Sequence, residues 1–347
     1  MVKGIKSQTC QVYWVFIMLC FMIWIVFLLF QYQLLSKPRA LRLKSEPQSQ
    51  PYKVNKQKQH PQLPHSTMDA FLKEQSEVQL QRHKYIQESC AKHPHLNVGD
   101  ISHTTKRQIL VVDKHRLLYC FIPKAGCTNW KTVLAVMDGY RSRTDDITGP
   151  MAHDYYEKRR LSSYNQTEQK YRLETYTKFT VTRHPFERAL SAYGNKFANM
   201  NVYRGYPPYQ KLARSIMKKF RKNATPVQLK TGENITWVEW VSYLTKSRPE
   251  EFDVHWMEYF QLCSPCKINY DYIGKLDTIS DDSEYIQTKL GIQKKVSFPS
   301  RKTSLPYNSS DKFDNYMSQL SQEQLRNLWE VYRLDFELFG YSKPNLS

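Results

Sequence analysis

The chain has 347 residues, 51 of them lysine or arginine against 32 aspartates and glutamates, for a formal net charge of +19. That length allows one large or two ordinary domains, and the charge points to an anionic partner: nucleic acid, anionic lipid or acidic polysaccharide. Taken with the membrane anchor described next, it excludes nucleic acid.

Residues 1–11 form a short tail, and Val12 to Phe30, VYWVFIMLCFMIWIVFLLF, is apolar without a charge. A helix of that length covers roughly 30 Å, the thickness of a bilayer core, so 12–30 reads as a transmembrane signal-anchor. A cleaved signal peptide competes, but the apolar stretch is too long and LLFQYQLLSKPRA offers no small-x-small cleavage pattern. Lys3 and Lys6 precede the span while Lys37, Arg39, Arg42 and Lys44 follow it, so the positive-inside rule alone would leave the bulk of the chain in the cytosol. Opposing that signal are acceptor sequons at Asn165, Asn223, Asn234, Asn308 and Asn345, all beyond the span. With a C-x-x-C pair on the same side, and loop charge weighing less on a long translocated segment, they favour a type II topology.

Residues 31–105 shift to Gln, Lys, Pro, Ser and His and read as a flexible stem, too poor in apolar surface to fold alone, with a short helix near Met68 to Gln87. From 106 to 347 strand-like and helix-like segments alternate. ILVV and LLYCFI predict strands; Asn129–Met137 predicts a helix; KFTVT, Lys178 to Thr182, predicts a strand; Phe186–Phe197, Tyr209–Arg221 and Val254–Leu262 predict helices. Trp237, Trp240, Val241 and Leu244 recur at helical spacing, which marks the tryptophans as core. YDYIG predicts a strand, and Ser321 with Gln324 forms a capping box that opens a last helix through Leu325, Leu328, Tyr332 and Phe336. This alternation indicates an α/β domain with a mostly parallel central sheet flanked by helices.

Five cysteines follow the span: Cys90, Cys120, Cys127, Cys263 and Cys266. Without a second C-x-x-C or paired histidines a zinc site is poorly supported, and in an oxidising lumen Cys263 and Cys266 are expected to form a local disulfide. The odd count leaves a thiol over.

The segment PKAGCTNWK, Pro123 to Lys131, sets small residues between a buried strand and a helix start, where free backbone N–H groups and the positive helix end bind phosphate or sulfate, and Lys124 adds a full charge. Alone, the pattern is equally a plain strand-to-helix turn. It is not a Walker A loop, which weakens a triphosphatase or kinase. KFTVTRHPFERALSAY then repeats the arrangement, with Arg183 at the strand end and Ser191 two turns into the helix. Two anion loops on one sheet suggest one ligand with two separated phosphates.

PKAGCTNWK resembles the 5′-phosphosulfate loop of Golgi carbohydrate sulfotransferases, and TRHPFERALSAY resembles their 3′-phosphate loop. The branch of chondroitin, dermatan and N-acetylgalactosamine 4-sulfotransferases is the most similar; the likeness takes in His255-Trp256, LCSPC before YDYIGK, and VYRLDFELFGYSKP, and so covers most of Gln108 to Pro344. Thr132 and Thr182 depart from the pattern. The resemblance implies a P-loop NTPase-like sulfotransferase fold and 3′-phosphoadenosine 5′-phosphosulfate (PAPS) as co-substrate. It further implies in-line sulfuryl transfer, without a metal, to a hydroxyl of an acidic glycosaminoglycan or an N-acetylgalactosamine-containing glycan at the Golgi membrane, with a lumenal catalytic domain. Pro123, Lys124, Ala125, Gly126, Cys127, Thr128, Asn129 and Trp130 would form the 5′ cradle, with Lys124 on the leaving oxygen, and Arg183 and Ser191 would hold the 3′-phosphate. The acceptor hydroxyl needs a base, and His153 is the first candidate, His255 the second.

Lys211, Arg214, Lys218 and Arg221 line up on one helical face, either as a solvated face or as a track for a sulfated or carboxylated glycan, and Arg301, Lys302, Thr303 and Ser304 are weaker donor candidates. A metal-dependent Golgi glycosyltransferase shares the anchor and stem, but Asp145-Asp146 and Asp281-Asp282 are adjacent pairs, not a D-x-D metal motif. A non-catalytic acidic-glycan-binding protein explains the charge but not the paired anion loops.

Overall fold

The computed structural model describes residues 65–293, 295–299 and 312–345. All lie in the compact unit Gln59–Ser347; the expected span at 12–30, the sequon at Asn308 and Arg301 to Ser304 fall outside the described residues. Among the described residues no helix is long and apolar enough to cross a membrane.

Four strands form the sheet in the order β1-β2-β3-β4: Ile109–Val112, Leu117–Cys120, Thr177–Thr182 and Tyr272–Lys275. β2, β3 and β4 run parallel, with Leu117 opposite Thr177 and Phe179 opposite Tyr272. β1 is antiparallel to β2, with Ile109 opposite Cys120, so the sheet is mixed and not parallel throughout. The reason lies in the link. Residues 113–116 are a tight turn that ends on Arg116 at φ 47°, whereas a parallel return needs a crossover of roughly a dozen residues.

Alternating residues of the buried strands feed two cores. Leu110, Val112, Leu117, Tyr119, Phe179 and Val181 join Trp130 on one face; Ile109, Val111, Leu118, Cys120 and Ile273 join the Trp237–Trp240–Trp256 cluster on the other. Trp237 and Trp240 are core, as their spacing indicates.

The segment read as stem contains a long helix, His65–Lys92, that belongs to the folded unit, so the boundary expected at residue 106 moves forward. This helix covers the open edge of β4. Gln79 Nε2 donates to the Ile273 carbonyl at 3.1 Å and its Oε1 accepts from the Ile273 N–H at 2.9 Å, standing in for a further strand. Arg82 donates to the same carbonyl and pairs at 2.6 Å with Asp282, itself fully buried. Composition misses this because the docking groups are polar.

The disulfides are Cys90–Cys266 and Cys120–Cys263, not the expected Cys263–Cys266. The short helix Tyr259–Cys263 ends on Ser264 at φ 43°, and the turn sends the two sulfurs different ways: the buried Cys263 towards β2, Cys266 towards the helix His65–Lys92. Cys127 keeps a free, buried thiol. The bonds close chain separations of 176 and 143 residues, and loops of that length lose on the order of 5 kcal/mol of unfolded-state entropy.

Replacing Asp282 with Ala strands the Arg82 guanidinium in the interior, and chemical denaturation should show a loss of about 3–5 kcal/mol. A loss below about 1 kcal/mol would mean that the pair behaves as a solvated surface bridge.

Candidate active site

The first anion loop leaves β2 at Phe121 and enters the helix Cys127–Met137 through two left-handed residues, Lys124 at φ 73° and Gly126 at φ 77°. A left-handed lysine costs about 1–2 kcal/mol and is held by its surroundings. Gly126 is the helix N-cap, and a Cβ there would press to 3.2 Å on Leu276. Among the described residues the N–H groups of Gly126, Cys127, Thr128 and Asn129 meet no acceptor, whereas Ala125 donates to the Ile122 carbonyl at 3.2 Å and Trp130 to Gly126 at 3.3 Å. Trp130 is fully buried against Phe179 and Phe298 and serves the core.

The second loop follows β3. Arg183 is almost buried, its guanidinium held by Glu187 at 3.0 Å and donating to the Lys124 carbonyl at 3.4 Å, so the two loops touch. Ser191 is half-buried in the helix Pro185–Tyr193, one turn beyond Glu187 on the same face. The predicted helix to Phe197 changes into a π-helix over Gly194–Ala198, which carries Lys196.

Positive charge is concentrated here. Burial lowers the half-buried Lys124 ammonium to about 8, the free Cys127 thiol opposes that shift, and Lys196, Arg183 and Arg188 add to it by repulsion. Burial likewise lowers Lys196. An anion entering this cluster relieves that mutual repulsion.

The two candidate bases differ. His153, in the helix Gly149–Tyr155, accepts a hydrogen bond at Nδ1 from Lys131 Nζ at 3.0 Å, which leaves the Nε2 proton to point at Thr128 Oγ1 3.3 Å away. Burial and then the Lys131 charge lower His153 to about 4. His255 lies in a turn over Val254–Met257, not in the helix expected there, because Asp253 caps the turn: its carbonyl accepts from Trp256 and Met257 and its carboxylate from the His255 N–H. Asp253 Oδ1 also sits 2.5 Å from His255 Nδ1. That pairing puts the ring proton on Nδ1 and leaves the Nε2 lone pair free. Burial lowers the His255 pKa, the Asp253 hydrogen bond opposes this, and Lys196 lowers it further. Burial alone would raise Asp253, yet the bonds from His255 keep it below the usual carboxylate range.

Arg188 joins these parts. Fully buried, it donates from Nε to the Pro123 carbonyl at 3.0 Å, from Nη1 to Met257 at 2.8 Å and from Nη2 to Val254 at 3.0 Å. One side chain thus fastens the Lys124 loop and the His255 turn to the helix of the second loop. Arg188, Asp253, Lys131 and Lys196 escaped the sequence reading. The Asp two residues before a histidine was a legible turn signal, and Lys131 lies one helical turn from Thr128, but Arg188 and Lys196 carry no local mark.

Asn165, Asn223, Asn234 and Asn345 are all exposed. On the basic helix, observed over Pro207–Phe220, Lys211 and Lys218 face solvent, while Arg221 beyond its end is tied to Glu239 at 2.7 Å and leaves the track. Among the described residues no group of histidines, cysteines and carboxylates could hold a metal ion.

Replacing Arg188 with Ala leaves three carbonyls without their donor and should cost about 3 kcal/mol or more in denaturant unfolding, with Lys unable to span the same three acceptors. Stability within about 0.5 kcal/mol of wild type would contradict that role.

The chain matches the model of the sulfotransferase family over residues 107–342. It is 35% identical over 300 residues to human carbohydrate sulfotransferase 9, covering 83% of this chain and 65% of that protein, so it spans about two thirds of that relative's length. Zebrafish (Danio rerio) carbohydrate sulfotransferase 14 is 35% identical over 86% of this chain and 81% of its own, and rat carbohydrate sulfotransferase 11 is 36% identical over 72% and 70%. No solved structure matches. A family match over most of the folded unit, with both predicted anion loops inside it, shows that the chain belongs to the sulfotransferase family.

Proposed function

We propose that the protein transfers the sulfuryl group of PAPS to a hydroxyl of a glycan, with the 4-O position of N-acetylgalactosamine in chondroitin, dermatan or a related glycan as the target. The observation that carries the donor half of this reading is the contact between the two loops: Arg183 reaches the Lys124 carbonyl, beside N–H groups from Gly126 to Asn129 that meet no acceptor among the described residues, while the 4-O target rests on the family likeness alone. Such a pair of cradles fits a ligand with separated phosphates.

When bound, PAPS supplies an activated sulfuryl group on a phosphate leaving group. The amides of Gly126 to Asn129 receive the 5′-phosphate at the positive helix end. Lys124 holds the bridging oxygen as it gains charge. Arg183 and Ser191 take the 3′-phosphate. His255 accepts the proton of the acceptor hydroxyl on Nε2, with Asp253 fixing its tautomer; His153, first choice from sequence, has one nitrogen occupied by the Lys131 ammonium and is better suited to steadying Thr128.

We further infer a type II Golgi membrane protein with a lumenal catalytic domain. Support comes from the apolar segment at 12–30, two disulfides suited to an oxidising compartment and four exposed sequon asparagines.

Radiolabelled PAPS incubated with desulfated glycans tests the reaction directly: label enters a glycan, whereas consumption of a nucleotide sugar without sulfation would overturn it. His255→Ala should lower kcat by about 100-fold or more with donor affinity intact, while His153→Ala chiefly weakens donor binding; a fully active His255→Ala removes that residue from the mechanism.

The pH profile follows from the signs. His255 must be deprotonated, so activity rises with a midpoint below the ordinary histidine value, and Lys124 must be protonated, so activity falls as pH passes about 8. In Lys124→Arg the alkaline limb should move upward; an unmoved limb would assign it to another group.

A further inference from the structure

We propose that the cavity of about 440 Å³ lined by Lys196, Asn201, Tyr206, Tyr209 and His255 is the seat of the acceptor sugar, with Tyr206 as the platform for the pyranose ring and Lys196 as the contact for an anionic substituent. This rests on the transferase reading above and goes further by naming the acceptor's position and the residues that select it.

Position is the first ground. The cavity shares His255 with the Asp253 pair, and Lys124 acts electrostatically on both His255 and Lys196. A hydroxyl in the cavity therefore lies beside the candidate base His255.

Shape is the second. Tyr206 is 47% exposed and its ring packs at 4.4 Å on Tyr209, which is 6% exposed. Tyr209 is in turn braced by Phe197 and Trp256. An aromatic face held rigid from behind and open in front suits the apolar C–H face of a sugar, while Asn201 suits the sugar's polar rim.

Charge is the third. The Lys196 ammonium stands 5.0 Å from the centre of the Tyr209 ring, and among the described residues no carboxylate lies within ion-pair range of it. Its nearby acid, Asp253, is engaged by His255. A half-buried cation in this position is matched by a carboxylate or sulfate on the acceptor. The same helix that carries Tyr209 also exposes Lys211 and Lys218, seven residues apart on one face.

The test uses the full chain in detergent with radiolabelled PAPS and unsulfated chondroitin oligosaccharides as the probe. Tyr206→Ala should raise the acceptor KM about tenfold while kcat and the PAPS KM stay within about twofold, and Tyr206→Phe should behave as wild type. Lys196→Gln should raise the acceptor KM and flatten its dependence on salt. An acceptor KM unchanged in both Tyr206→Ala and Lys196→Gln overturns the proposal. So does a rise in the PAPS KM of Tyr206→Ala, which would make the cavity the adenine site. Both outcomes leave the sulfotransferase reading standing; a wild-type chain inert towards every glycan with PAPS removes that reading and this one together.

Discussion

The buried guanidinium of Arg188 is the constraint on which the site depends. The Lys124 loop and the His255 turn are irregular backbone in the interior, and their carbonyls must find donors or bear a desolvation cost. Arg188 supplies three, to Pro123, Val254 and Met257, from a helix that begins two residues after Arg183. The two loops and the candidate base are therefore fastened to one another, and a shift of any of them must break a charge-assisted hydrogen bond.

Rigid support for that unit comes from far along the chain. Cys120–Cys263 ties β2, which delivers the Lys124 loop, to the helix that follows the His255 turn. Cys90–Cys266 and the Arg82–Asp282 pair fasten the helix His65–Lys92 over the edge of β4. Tyr259 adds a bond from its hydroxyl to the Arg183 carbonyl at 2.5 Å, so the end of β3 is held from the same side. Against this frame Lys124, Lys196, Arg183 and Arg188 sit close enough to repel one another, a costly arrangement alone and a favourable one once an anion enters.

The α/β alternation, the two strand-to-helix turns at Lys124 and Arg183 and the core role of Trp237 and Trp240 were legible in sequence because each is a local pattern. What was not legible depends on distant partners. Cys263 and Cys266 sit three apart in sequence, yet a helix end at Ser264 turns them to different partners. The helix His65–Lys92 docks through Gln79 and Arg82, which composition counts as solvent-facing. The antiparallel β1 could have been foreseen from the short link before β2. Between His153 and His255 only hydrogen-bond geometry discriminates: one ring accepts from an ammonium, the other donates to a carboxylate.

All of this turns on two positive cradles held at a fixed separation. Calorimetry with adenosine 3′,5′-bisphosphate and adenosine 5′-monophosphate tests it most directly. The bisphosphate should bind at least about tenfold more tightly, an advantage carried by Arg183 and lost in Arg183→Ala. Equal affinity for the two nucleotides in the wild-type protein would contradict the account.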